Sequence, residues 1–143
     1  MKGKIFTRDE ASRMIPLLRR IATDTKACSR LIERHQAEAR SCRESMVQNE
    51  ADGERVLADH LAKIKSLTAK IDSCRKELED LGCFLDDAAQ GIVKFYGERN
   101  SQIIYYTWRL GEPEVSFWHP IEKSFVDRQA IDGDEKVAEN APR

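Results

Sequence analysis

No window of the chain approaches 18 consecutive apolar residues, so the sequence offers no helix able to cross a bilayer. Neither sign of charge dominates: 24 Lys and Arg stand against 25 Asp and Glu, for a formal net charge of −1. Without a basic excess, general attraction to nucleic acid or to an anionic membrane is not expected. There is no GxGxxG and no GxxxxGK(S/T), so the usual phosphate cradles are missing. Histidine occurs three times, at His35, His60 and His119, with no HxxH or HExxH spacing, and none of the four cysteines belongs to a CxxC pair. These spacings supply no metal-ligand motif, and neither a metal nor a cofactor is expected. The segment Met1–Glu10 has no apolar core of a signal peptide. Cys28, Cys42, Cys74 and Cys83 are therefore expected to be reduced thiols in the cytoplasm, packing as small apolar residues.

What is present points to long helices. Charged residues make up 34% of the 143 and apolar ones 41%, a balance suited to solvated helices beside one modest core. Thr7 and Glu10 form a T-x-x-E capping box, with Ile5 or Phe6 placed as a hydrophobic staple. Weakly polar or apolar residues then recur in steps of three and four from Ala11 to Met46, the spacing of a coiled-coil seam. A first helix is expected over 7–49, kinked near 12–16 by Pro16. Residues 50–53 are expected to turn at Gly53. A second helix over 53–81 carries a cleaner seam: Leu57, His60, Ile64, Leu67, Ile71, Cys74, Leu78 and Leu81. Gly82 then stands where a left-handed C-cap belongs. Two helices of roughly 60 and 43 Å joined by a short turn should lie antiparallel. Folding them about 50–53 pairs Ile32 with Ile71, Cys28 with Cys74, Cys42 with His60 and His35 with Leu67. That register leaves Cys28 and Cys42 about 21 Å apart along one helix, too far for one zinc to reach both, and argues against a shared Cys/His metal site. Cys28 and Cys74 could form a redox pair, but two thiols filling a narrow layer is the plainer reading.

The remainder, 83–131, changes period. GIVKFYG (91–97), QIIYYTWRL (102–110) and EVSFWH (114–119) are rich in β-branched and aromatic residues and are separated by turn signals. They predict a three-stranded antiparallel sheet, with Cys83–Leu85 as a possible extra strand. Nine of the ten Phe, Tyr and Trp residues lie after position 82, so this region should hold much of the core. Alternation puts Ile104, Tyr106, Trp108, Val115, Phe117 and His119 on one face. Tyr105, Thr107, Arg109, Glu114, Ser116 and Trp118 fall on the other. The expected class is α+β: a long antiparallel two-helix coiled-coil hairpin followed by a small three-stranded antiparallel sheet. Residues 1–131 should form a single domain, with 132–143 a disordered acidic tail.

The string Trp108-Arg109-Leu110-Gly111-Glu112-Pro113-Glu114, followed by Phe117-Trp118-His119, Phe125 and Arg128-Gln129, resembles an uncharacterised bacterial family known as domain of unknown function 2203. Phe6-Thr7, Glu10-Ala11, Pro16-Leu17-Leu18, Leu81-Gly82 and Gly91-Ile92-Val93 extend the resemblance over roughly 5–131. The family implies no established activity. The chain departs from its pattern at Lys94, Tyr96 and Thr107, which stand in place of an acid, a proline and a cysteine. No thiol chemistry is therefore available at that last position. Two readings of function follow. The first is a non-catalytic interaction or scaffold protein that uses its helix faces to form a homodimer or to bind a protein partner. The second is a small ligand- or metal-binding protein, possibly an enzyme, with a site around Arg109, Glu112, Trp118, His119 and Arg128. Nucleic acid is not an expected partner. The first helix has only nine Lys and Arg against six Asp and Glu over 8–49, with no aromatic residues interleaved.

Overall fold

The computed structural model describes residues 4–45 and 50–131. Helix α1 spans Arg8–Arg13, α2 spans Ile15–Ser45 and α3 spans Glu50–Asp80. Five strands follow: β1 (Phe84–Asp87), β2 (Ile92–Arg99), β3 (Gln102–Arg109), β4 (Phe117–Pro120) and β5 (Gln129–Ala130). They form one antiparallel sheet in sequence order, so the class is α+β with five strands rather than three. The seam residue Met46 and the expected tail, 132–143, lie outside the described residues.

Local chemistry explains the helix ends. The Thr7 hydroxyl accepts the Glu10 N–H at 3.1 Å, and the Glu10 carboxylate accepts the Thr7 N–H at 2.8 Å. The capping box is complete, and that second bond holds the Glu10 carboxyl below its ordinary value. Phe6, not the more exposed Ile5, is the residue buried before the cap. Met14 separates α1 from α2, as the missing N–H of Pro16 requires. At the other end, Gly82 (φ +94°) closes a Schellman motif: Cys83 N–H donates to Leu78 C=O and Gly82 N–H to Glu79 C=O, both at 3.0 Å.

The turn expected at 50–53 is not there. Residues 50–53 are already helical, and Gly53 sits inside α3. Asp52 and Glu54 near the helix N-terminus favour its dipole and offset the roughly 1 kcal/mol that an interior glycine costs. With α3 already begun at Glu50, the register differs from the expected one. His35 meets His60, with 3.0 Å between their Nδ1 atoms, and Cys42 donates to Gly53 C=O at 3.1 Å. The expected partners were Leu67 and His60, so each observed partner is one heptad nearer the turn. The histidines therefore share a layer instead of lying apart. Cys28 and Cys74 still line one groove, together with Leu31 and Leu67. Burial, then the charge of Asp24, pushes the Cys74 thiol up, which favours packing over thiolate redox chemistry there.

The core sits where the near ends of α2 and α3 meet the sheet. Leu18, Ile21, Ala22 and Leu78 are fully buried with Val93, Phe95 and Trp108. The Thr25 hydroxyl, also fully buried, donates to Ala88 C=O at 3.1 Å and ties α2 to the β1–β2 connection. Helix α1 holds the segment before β4: Arg8 Nε donates to Val115 C=O at 2.9 Å, and Ser12 Oγ accepts from Val115 N–H at 3.0 Å.

Register fixes the sheet faces. Tyr105 pairs with His119, Tyr106 with Trp118 and Thr107 with Phe117. Phe117 and His119 therefore lie on the Tyr105–Thr107 face, and Trp118 on the Tyr106 face, opposite to the sequence assignment. Strand β4 begins at Phe117, and Val115 belongs to the loop clamped by Arg8 and Ser12. Alternation does not run through a loop, so the buried Val115 carries no information about the strand's parity.

Two outcomes follow. A Cβ on Gly97 would stand 2.4 Å from Cε2 of the buried Tyr106 ring, so Gly97→Ala should destabilise by about 1–3 kcal/mol in urea unfolding. An unchanged midpoint would contradict this packing. The Glu10 carboxyl, lowered on folding, stabilises above its ordinary value of 4.5 and loses that effect as pH falls through the folded value. The melting difference between wild type and Glu10→Gln should therefore be full at neutral pH and close on acidification. A difference that grew instead would reverse the sign.

Candidate functional site

Two places gather chemistry-bearing side chains. The first is the sheet face that points away from the helices. Residues 125–128, which include a 3₁₀ turn at Phe125–Asp127, cross it as a strap. The Arg128 guanidinium lies between the rings of Phe117 and Phe125, 4.0 Å from each centroid. Its Nη1 donates to Glu112 Oε1 at 3.2 Å and to Thr107 Oγ1 at 3.4 Å, and its Nη2 donates to Glu112 Oε2. Glu112 Oε1 also accepts the Arg109 N–H at 2.9 Å, closing the turn after β3. The pair is largely buried, with side chains 13% and 16% exposed. Glu112 and Arg128 thus converge, but on each other. The Arg109 guanidinium stands outside, 5.6 Å from the Phe125 ring.

His119 does not join them. Its ring is next to Tyr105, with centroids 5.5 Å apart, in an aromatic row that continues through Tyr96 to Phe84. Lys94 Nζ sits 4.4 Å over Tyr105 and 3.6 Å from Asp86. Burial, then the hydrogen bond with Tyr96, pushes the Tyr105 hydroxyl up to about 12, so it stays neutral near pH 7. His119 Nδ1 is 2.7 Å from Pro120 C=O. A carbonyl only accepts, so that nitrogen carries a proton. Nε2 is buried and has no partner among the described residues. Trp118, expected on this face, lies on the other side with its ring under Arg99 at 4.5 Å. Lys94, Thr107, Phe117 and Phe125 were noted in the sequence but not expected at this site. Once β4 is paired correctly, Thr107 opposite Phe117 would have shown that Arg128 had a polar and an aromatic neighbour.

The second place is the far half of the helical pair. Of residues 29–45 and 51–70, only Ala39 is buried. Leu31, Val56 and Leu61 are 37%, 42% and 43% exposed, while Ile32, Leu57, Ile64 and Leu67 are half-buried. The His35–His60 contact lies in this stretch. No helix among the described residues is long and apolar enough to cross a membrane.

Because Arg128 is both stacked and bidentate, removing it strands a largely buried carboxylate. Arg128→Ala should cost about 2–3 kcal/mol. Arg128→Lys should recover little, because a point charge cannot reproduce the planar fork between two rings. Chemical denaturation reads both, and a lysine variant as stable as wild type would show that the strap does not depend on this pair.

The model of a family described as "Uncharacterized conserved protein (DUF2203)" matches residues 4–131. No curated protein and no solved structure matches the chain. The match runs from the residues just before the capping box, through both long helices and all five strands, to the fully buried Ile131 that follows β5, and over that whole span this chain belongs to the DUF2203 family.

Proposed function

We propose that this chain is a non-catalytic interaction protein that pairs with a second copy of itself through its helical hairpin, held as an antiparallel coiled coil. The observation that carries this reading is the missing half of a core. The far half of the hairpin bears seven Leu, Ile and Val residues within residues 29–45 and 51–70, yet only Ala39 there is buried. Two helices can hide only the stripe they turn toward each other, and the remaining apolar width needs another helix. Charge selects the occupant. Helix α2 carries seven Lys and Arg against four Asp and Glu, a net +3, and α3 carries six against eight, a net −2. A second copy that lays its α3 along α2, and its α2 along α3, meets opposite charge on both sides. The free thiols at all four cysteines suit a cytoplasmic setting.

A second reading places a small ligand on the outer sheet face. It is favoured by the buried, partnerless Nε2 of His119. It draws no support from Arg128 and Glu112, whose charges are already committed to each other.

Light scattering on the full chain should give a dimer in the tens of micromolar, and the dimer should weaken with salt. Leu61→Glu and Val56→Glu change exposed positions and should give a folded monomer. A wild-type chain that stays strictly monomeric over that range would overturn the proposal.

A further inference from the structure

His35 and Glu38 stand three residues apart on α2, so they share one face of that helix. His60 reaches the same point from α3. The two Nδ1 atoms are 3.0 Å apart, and Glu38 Oε1 is 3.8 Å from His35 Nδ1. One ligand atom from each of the three residues lies within 4.8 Å of the other two, and among the described residues no second group of this kind occurs. In a tetrahedral zinc site with N and O ligands, neighbouring donor atoms are about 3.3 Å apart. The observed 3.0 and 3.8 Å bracket that edge.

We propose that His35, Glu38 and His60 bind one divalent transition-metal ion of the zinc class, with two imidazole nitrogens and one carboxylate oxygen as ligands. The donor set suits such an ion better than it suits magnesium or calcium, which prefer oxygen alone. Without an ion, two ring nitrogens at 3.0 Å can be joined only by one shared proton. That restricts both rings to complementary tautomers and leaves the carboxylate without a full partner. An ion replaces this single hydrogen bond with three ligand bonds.

The surroundings fit a site with access. The His35 side chain is only 15% exposed, while Glu38 is 51% exposed. Glu38 and His60 also line an open groove of about 540 Å³, bounded by Cys42, Asp52 and Val56. The fourth coordination position therefore faces water or a further small ligand, as in zinc centres that keep an open site. Cys42 is engaged with Gly53 C=O and takes no part in the three-residue set. The ion would bridge α2 and α3 in the stretch where Ala39 is the one buried residue, and so would couple metal binding to the stability of the hairpin. This site does not depend on self-association.

The test uses untagged, chelator-stripped full-length protein, titrated with Zn²⁺ against a competing indicator and with Co²⁺ by visible absorption. The expected result is one ion per chain in the micromolar range or tighter. Co²⁺ should show d–d bands without a sulfur charge-transfer band, and the melting temperature should rise with Zn²⁺. His35→Ala and His60→Ala should abolish binding. Glu38→Gln changes an exposed position and so keeps the fold by circular dichroism; it should weaken binding at least about tenfold. Cys42→Ser should bind as wild type does. Absence of saturable micromolar binding to the wild-type chain would overturn the proposal. So would retention of full affinity in a folded Glu38→Gln or His60→Ala variant. A thiolate band lost in Cys42→Ser would also overturn it, by placing the ion on sulfur.

Discussion

Two helices lying side by side can bury only the stripe each turns to the other, and the rest of this molecule depends on how that shortfall is met. At the near end the sheet meets it. Trp108, Phe95 and Val93 cover Leu18, Ile21 and Leu78, and every one of these side chains is fully buried. Beyond Cys28 on α2 and Ile71 on α3 the sheet gives out, and half-buried leucines and isoleucines replace a core. The aromatic residues crowd into the last third of the chain because that is where a small sheet must supply a large covering area with few residues.

The polar devices follow the same division. Near the sheet they are structural and mostly satisfied, Trp118 Nε1 and His119 Nε2 being exceptions. Arg8 and Ser12 hold Val115, Thr25 holds Ala88, and Arg128 is closed on Glu112 between two rings. In a largely desolvated setting an ion pair with a planar bidentate geometry mainly fixes one arrangement of the strap. Far from the sheet the polar residues are less committed. His35 and His60 meet each other, with the exposed carboxylate of Glu38 close by. Residues with chemistry to spare thus lie in the half of the molecule with apolar surface to spare.

Some of this was legible in the residues before any coordinates. The T-x-x-E box at Thr7, the break around Pro16 and the left-handed cap at Gly82 are short-range events, decided by hydrogen bonds within a few residues, and all three stand where the sequence puts them. The register between α2 and α3 was not legible, because it hangs on where α3 begins. Gly53 looks like a turn by composition, but a helix with acidic residues in its opening turns absorbs one glycine. That one misplacement moved His60 from Cys42 to His35. The parity of β4 failed for a similar reason. Val115 is apolar and buried, yet it is held by hydrogen bonds from α1 and not by the strand ladder. The approach of Glu112 to Arg128 spans sixteen residues of chain and depends on the strap crossing the sheet.

By itself, then, the sequence determined the capping box at Thr7, the break near Pro16, the cap at Gly82, the α+β class, the gathering of aromatic residues after Gly82 and the family. Each of these rests on spacing along the chain or on bonds within one turn, which a linear string records directly. Only the tertiary structure decided which histidine faces which, which sheet face carries His119, and that Arg128 is spoken for. Those depend on how separate elements are registered against one another, and a slip of one heptad or one residue leaves every local pattern intact while exchanging all the partners.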